Sequence, residues 1–217
     1  PTVSMQRPPD DHYLCHLPKH PGCKACNNCK VQRKHCRDKV KAKKKKQETI
    51  IKLHTTEKSI DDSKTAPTAF GELVTSDSIF VLRKNSKSPA MHGDTTALVV
   101  RDRGTGWTGA YPAKSKSAEE VKVAVQDFKG PAKVDLWYSD GAPELHAACR
   151  DEGIRHDKAD PHRSETNGVI ERTNRTVIEG TRTLLFQSGM PYKYWRSAMK
   201  CFCSLYIFEH VDKKKGT

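Results

Sequence analysis

Between His12 and Cys36 lie five of the chain's eight cysteines and four of its ten histidines. A stretch of 25 residues buries too little apolar surface to hold a fold by itself, so it needs disulfides or a metal. The first residues carry no apolar run of the signal-peptide type. No run in the chain approaches the roughly 18 apolar residues that cross a bilayer. A membrane span is therefore excluded, and a metal rather than a disulfide framework is the expected clamp. The spacing His12-x3-His16-x6-Cys23-x2-Cys26 supports that reading. Histidines at i and i+4 share a helix face, Cys-x2-Cys forms a two-thiolate knuckle, and four N/S ligands suit tetrahedral Zn²⁺. His20 or Cys29 is an alternative ligand, and a cluster that coordinates nothing is the remaining reading. Cys149, Cys201 and Cys203 stand apart in apolar contexts and read as buried thiols.

The net charge of +13 is uneven. Residues 1–66 hold 16 Lys+Arg against 7 Asp+Glu, and residues 67–217 hold 23 against 19. A basic excess focused in one third of a chain points to a polyanion, of which nucleic acid is the commonest. Residues 1–11 are Pro-rich and polar and read as disordered, 12–36 as the His/Cys module, and 37–66 as a Lys-rich linker. Within the linker, Lys43, Lys44, Lys45 and Lys46 suit DNA-phosphate contact or nuclear import, or form a solvated spacer. Residues 67–210 form the main domain and 211–217 a basic tail.

Strand and helix patterns alternate through that domain. Residues 70–83 predict a first strand with its extension, and 95–102 a second. A Gly-containing turn then leads to a hairpin partner within 105–113. Ser117 followed by Glu120 is a capping box opening a helix over 117–128. Residues 134–140 alternate as a fourth strand, 144–153 predict a short helix ended by Gly153, and 154–160 a fifth strand. The longest helix is expected from about Glu165 to Gln187. It places Val169, Ile170, Thr173, Val177, Gly180 and Leu184 on one side, and Asn167, Glu171, Asn174, Arg175 and Arg182 on the other. Ile178 intrudes on the polar side. A further apolar helix, 192–207, follows Pro191. The sum is an α/β fold, a mixed five-stranded sheet flanked by helices. Trp107, Trp137 and Trp195 read as core residues rather than base-stacking ones.

Three acids sit where such a fold concentrates chemistry. Asp77 ends the first strand, Asp140 ends the fourth before a Gly-containing turn, and Glu171 lies near the start of the long helix. Hard cations such as Mg²⁺ take carboxylate oxygens, and two such ions clamp the attacking and leaving oxygens of a phosphoryl transfer. Asn174, Arg175 and Arg182 on the same helix face would then meet phosphates. Singly, each acid has a plainer role: a strand-end Asp before Gly is a turn residue, and a Glu early in a helix complements its dipole. Asp102 is a decoy by the same logic.

The run YSDGAPE (138–144), then GI-H (153–156) and ADPHRSETNGVIERTNRTV (159–177), resembles the catalytic core of retroelement integrases, most closely the copia type of long-terminal-repeat retrotransposon. VTSDSI (74–79) and ALVVRDRGTGWTGAYPAKSKSAEE (97–120) follow the same domain in order. The resemblance spans roughly residues 12–210, and the His/Cys pattern resembles the zinc module ahead of such cores, abbreviated between its His and Cys pairs. It implies an RNase H-like core behind a zinc module. It also implies a triad of Asp77, Asp140 and Glu171 holding two Mg²⁺ or Mn²⁺ ions, with Asn167, Gly168, Arg172 and Asn174 as motif positions. The implied activity trims DNA 3′ ends and joins them to target DNA. The implied partners are element-end and target DNA and further copies of the chain, and the implied setting is the nucleus or a cytoplasmic virus-like particle. Residues 141–170 separate the last two acids, 30 positions, fewer than the family usually has. Three further readings are weighed: a copy that binds nucleic acid without chemistry, a zinc-binding interaction module without a DNA role, and a ribonuclease H proper.

Overall fold

The computed structural model describes residues 7–30, 66–81, 90–158 and 164–210. The expectations for residues 1–6, for the Lys-rich segment with Lys43–Lys46, and for the tail 211–217 lie outside the described residues. Residues 7–30 and 67–210, where described, pack as one compact unit.

Two short helices come first, α1 (His12–Cys15) and α2 (Lys24–Cys29). Then follow β1 (Val74–Phe80), β2 (Thr96–Asp102), β3 (Thr108–Ala113), α3 (Ala118–Lys129), β4 (Leu136–Ser139), α4 (Pro143–Asp151), β5 (Arg155–Lys158) and α5 (Ser164–Ser188). A 3₁₀ turn, Tyr192–Tyr194, leads into α6 (Trp195–His210). The strands form one sheet in the order β3-β2-β1-β4-β5. The β1–β2 and β2–β3 pairs are antiparallel, whereas β1–β4 and β4–β5 are parallel. This is the mixed five-stranded α/β sheet that the sequence patterning predicts.

Period-two alternation divides the core between the sheet's faces. From β2, Ala97 and Val99 join Ile170, Val177, Met199 and Phe202 under α5 and α6. Leu98 and Val100 join Val125, Phe128 and Trp137 under α3 and α4. Each fully buried large side chain contributes roughly 1.5–3 kcal/mol, so a sheet covered on both faces holds the strand ends rigidly. Where α5 and α6 cross, Gly180 has the Phe202 ring so close that a Cβ there would lie 2.1 Å from it. Only glycine allows that approach. At the start of α3, the Ser117 hydroxyl accepts from the Glu120 amide at 3.4 Å. The Glu120 carboxylate turns back to Ser115 and Lys114 instead of closing the box on Ser117.

Trp137 and Trp195 are fully buried, as their patterns predict, but Trp107 is 44% exposed. It precedes β3 in a turn that strand periodicity does not govern. Cys149 and Cys203 are buried, whereas Cys201 is exposed, because it falls on the outer side of α6. Ile178 packs partly buried against the core under α5 and α6. Among the described residues no helix is long and apolar enough to cross a membrane.

Candidate functional site

The β1–β4 register sets two acids side by side. Val74 lies beside Trp137 and Thr75 beside Tyr138, and continuing that register brings Asp77 level with Asp140. Neighbouring strands lie about 4.8 Å apart. Asp140 follows the carboxyl end of β4, where open α/β sheets bind ligands. Asp77 lies midway along β1 opposite Val99 of β2, not at the strand's end as the pattern predicts, because the strand continues through Ser78, Ile79 and Phe80 in register with β2. Gly141, with φ +83°, turns the chain sharply just after Asp140. One Asp140 oxygen accepts from the Ala142 amide at 3.3 Å, the plain turn role, while the residue itself is exposed. Asp77 is partly buried on the face under α5. Burial raises its pKa, and the neighbouring Asp140 charge raises it further.

From α5, the Asn174 amide donates to Asp77 Oδ2 at 2.8 Å. Asn174 is thus turned inward, with its own Oδ1 buried and unpartnered among the described residues, instead of standing free for a phosphate. Glu171 is exposed and lies three residues earlier, about 60° around the helix, on the same flank. Arg175 and Arg182 are exposed, and Arg182 lies near Cys29, whose thiol donates to the Arg182 carbonyl. Asp102 is fully buried and serves the β2–β3 turn. It accepts from the Gly71 amide and from the Thr105 amide and hydroxyl at 2.6–3.0 Å, which sets it apart from the acid pair.

The His/Cys residues do gather. Among the described residues, His12, His16, Cys23 and Cys26 are the one set of three or more potential ligands whose donor atoms all lie within 4.8 Å of one another. Asp77, Asp140 and Glu171 are not drawn into so tight a group. All four His/Cys residues are buried. Cys23 Sγ lies 3.3 Å from His16 Nδ1, and Cys26 Sγ lies 3.4 Å from His12 Nε2 and 3.8 Å from His16 Nδ1. A tetrahedral ion with Zn–S and Zn–N bonds of usual length spans N···S edges of about 3.5 Å, so the donor set fits zinc. His20 instead accepts from the Gly22 amide. Burial lowers the pKa of both His12 and His16, favouring the neutral imidazoles that bind metal.

Two contacts around this cluster have no local sequence signal. His16 Nε2 meets Gln187 Oε1 of α5. The amide oxygen can only accept, so Nε2 carries the proton and Nδ1 keeps its lone pair toward the thiols. The buried Lys30 donates from Nζ to the His16 carbonyl at 2.6 Å, bringing a cation beside two cysteines.

No family model matches the chain. Over 62 residues, 29% of its length, it is 39% identical to the retrovirus-related Pol polyprotein from transposon TNT 1-94 of Nicotiana tabacum. Over 107 residues, 45% of its length, it is 34% identical to the corresponding polyprotein from transposon RE1 of Arabidopsis thaliana. The chain is a relative of retrovirus-related Pol polyproteins. It spans only 5% and 7% of these relatives' lengths, so it corresponds to one segment of such polyproteins. Its fold is also that of a chain in the cryo-EM structure of the simian T-cell lymphotropic virus intasome in complex with the PP2A regulatory subunit B56 gamma. That match has a TM-score of 0.50 and 17% identity, covering 76% of this chain and 61% of the other.

Proposed function

We propose that this Pol-related chain is an integrase segment of a copia-type retrotransposon, acting on DNA ends by metal-dependent phosphodiester chemistry. The observation that carries the reading is the placement of Asp77, midway along β1, level with Asp140 just past the end of the parallel β4, with Asn174 of α5 bonded to Asp77. Two carboxylates in that position suit Mg²⁺ or Mn²⁺, and Glu171 is the third ligand from the helix flank. Divalent ions held there would supply charge stabilisation for the attacking and leaving oxygens. Asn174 fixes the Asp77 carboxylate and keeps one oxygen turned to α5. Asp140, exposed at the turn, meets the DNA side. Arg175 and the Lys43–Lys46 segment contact phosphates. The nucleophile is a water in end processing and a DNA 3′-hydroxyl in joining.

The His12, His16, Cys23 and Cys26 cluster holds Zn²⁺ in this account, with Gln187 orienting His16. DNA ends, target DNA and further copies of the chain are its partners, and the nucleus or a virus-like particle its setting. One observation favours a second reading, a copy that binds nucleic acid without chemistry: among the described residues the His/Cys cluster, and not the three carboxylates, is gathered as a metal-ligand group. Strand transfer on a paired-end DNA substrate with Mg²⁺ or Mn²⁺, comparing the wild type with Asp140→Asn, decides between them. Joined product from the wild type and none from the variant supports chemistry. Equal signals, or DNA binding without product, support the second reading.

A further inference from the structure

The flank of α5 turned away from Asn174 and Asp77 borders a cavity of about 200 Å³ between β2, β3, α5 and α6. Its polar lining is Arg101 from β2, Thr108 from β3, Arg172 and Thr176 from α5, and Tyr206 from α6. Strand alternation puts Arg101 on this face of the sheet, since Ala97 and Val99 of the same strand pack under α5 and α6. Arg172 and Thr176 point here for the helical counterpart of that reason, because they lie roughly 160° around α5 from Asn174.

Both guanidinium groups are held by neutral partners. Arg101 Nη1 donates to the Thr108 hydroxyl at 3.2 Å and to the Tyr206 hydroxyl at 3.4 Å. Arg172 Nε donates to the Gly168 carbonyl at 3.0 Å. Among the described residues no carboxylate lines the cavity. Among the described residues neither arginine takes part in an ion pair. Arginine keeps its charge at every accessible pH, so two positive charges converge on one concavity without a counter-charge among the described residues. Their planar forks retain N–H donors in the geometry that matches an oxyanion. Thr108 is almost fully buried, which fixes the donors' base from below.

We propose that this cavity is a phosphate site, distinct from the acid pair on the other flank of α5. A phosphate of a nucleic-acid backbone and free phosphate share the chemistry that would be recognised.

The test uses the full chain with inorganic phosphate, followed by calorimetry and by thermal unfolding against chloride at equal ionic strength. Saturable binding to the wild type is expected. Arg172→Gln, on an exposed side chain, is expected to fold normally and bind phosphate roughly tenfold or more weakly, as loss of a charge-assisted hydrogen bond requires. Arg101→Gln should do the same, and Tyr206→Phe, which leaves both charges, should bind nearly as the wild type. No phosphate-specific binding by the wild type, or unchanged binding by folded Arg172→Gln, overturns the proposal. A short DNA duplex that displaces phosphate from the wild type supports the site with a nucleic-acid source. Phosphate binding undisturbed by the duplex supports it with free phosphate as the ligand.

Discussion

Replacing Gln187 by Ala probes whether α5 prepares the His/Cys cluster for metal. His16 is fully buried, and Gln187 Oε1 is the partner of its Nε2. Removing that acceptor leaves an imidazole N–H in a dry place, which costs roughly 1–3 kcal/mol if nothing replaces it. It also frees the proton to move to Nδ1, the nitrogen that faces Cys23 and Cys26. Loss of such a partner lowers metal affinity roughly 10–100-fold. Gln187 itself is exposed, so water can enter the gap, and the lower end is expected: about tenfold, or ~1.4 kcal/mol. Competition of the purified chain with a chromophoric chelator for Zn²⁺ measures this, and the Co²⁺ absorption band reports the ligand geometry. Gln187→Glu keeps an acceptor and should bind at least as tightly as the wild type. A Gln187→Ala protein that binds Zn²⁺ as tightly as the wild type would refute the positioning role. A wild type that binds no Zn²⁺ would refute the zinc reading itself.

Gly180→Ala should destabilise the chain by about 1–3 kcal/mol in thermal unfolding, because the new methyl meets the fully buried Phe202 ring. Asp94 is 1% exposed and takes two bonds from Arg196 at 2.8 and 3.0 Å. Arg196→Ala therefore strands a buried carboxylate and should cost about 2 kcal/mol by denaturant unfolding, less than a fully buried pair because the arginine is partly exposed. Asp77→Asn should raise the metal-free melting temperature at pH 7, because it removes a charge that burial and the neighbouring Asp140 disfavour. The sign follows from the raised pKa of Asp77: its folded state holds the proton more firmly than the unfolded state. Stability falls as pH rises from the ordinary carboxylate pKa through the folded one. The variant should lose that pH dependence, and an unchanged melting curve would contradict it.

The strands were legible because β-branched runs such as Thr96–Val100 alternate between two buried faces. Asp102 was not separable from Asp140 by pattern, since a Gly-containing turn follows each; its full burial and its bonds to Gly71 and Thr105 set it apart. The His/Cys cluster was legible from spacing alone, since i, i+4 histidines and a Cys-x2-Cys knuckle are local geometry. Gln187 was not, as 171 positions separate it from His16 and only the packing of α5 on the module brings them together. Asn174 patterned with the polar face of α5, yet it is 8% exposed: a wheel cannot tell a solvent-facing amide from one turned onto a neighbouring strand. The Arg101–Arg172 cavity joins four elements by tertiary contact and leaves no motif.

The central claim is that Asp77, Asp140 and Glu171 act as one divalent-metal centre. The most direct measurement is Mn²⁺ anomalous scattering from crystals of the chain. A peak between the Asp77 and Asp140 carboxylates, with Glu171 turned toward it and lost in Asp140→Asn, is the predicted result. Mn²⁺ bound elsewhere, or the same peak in Asp140→Asn, would contradict the account.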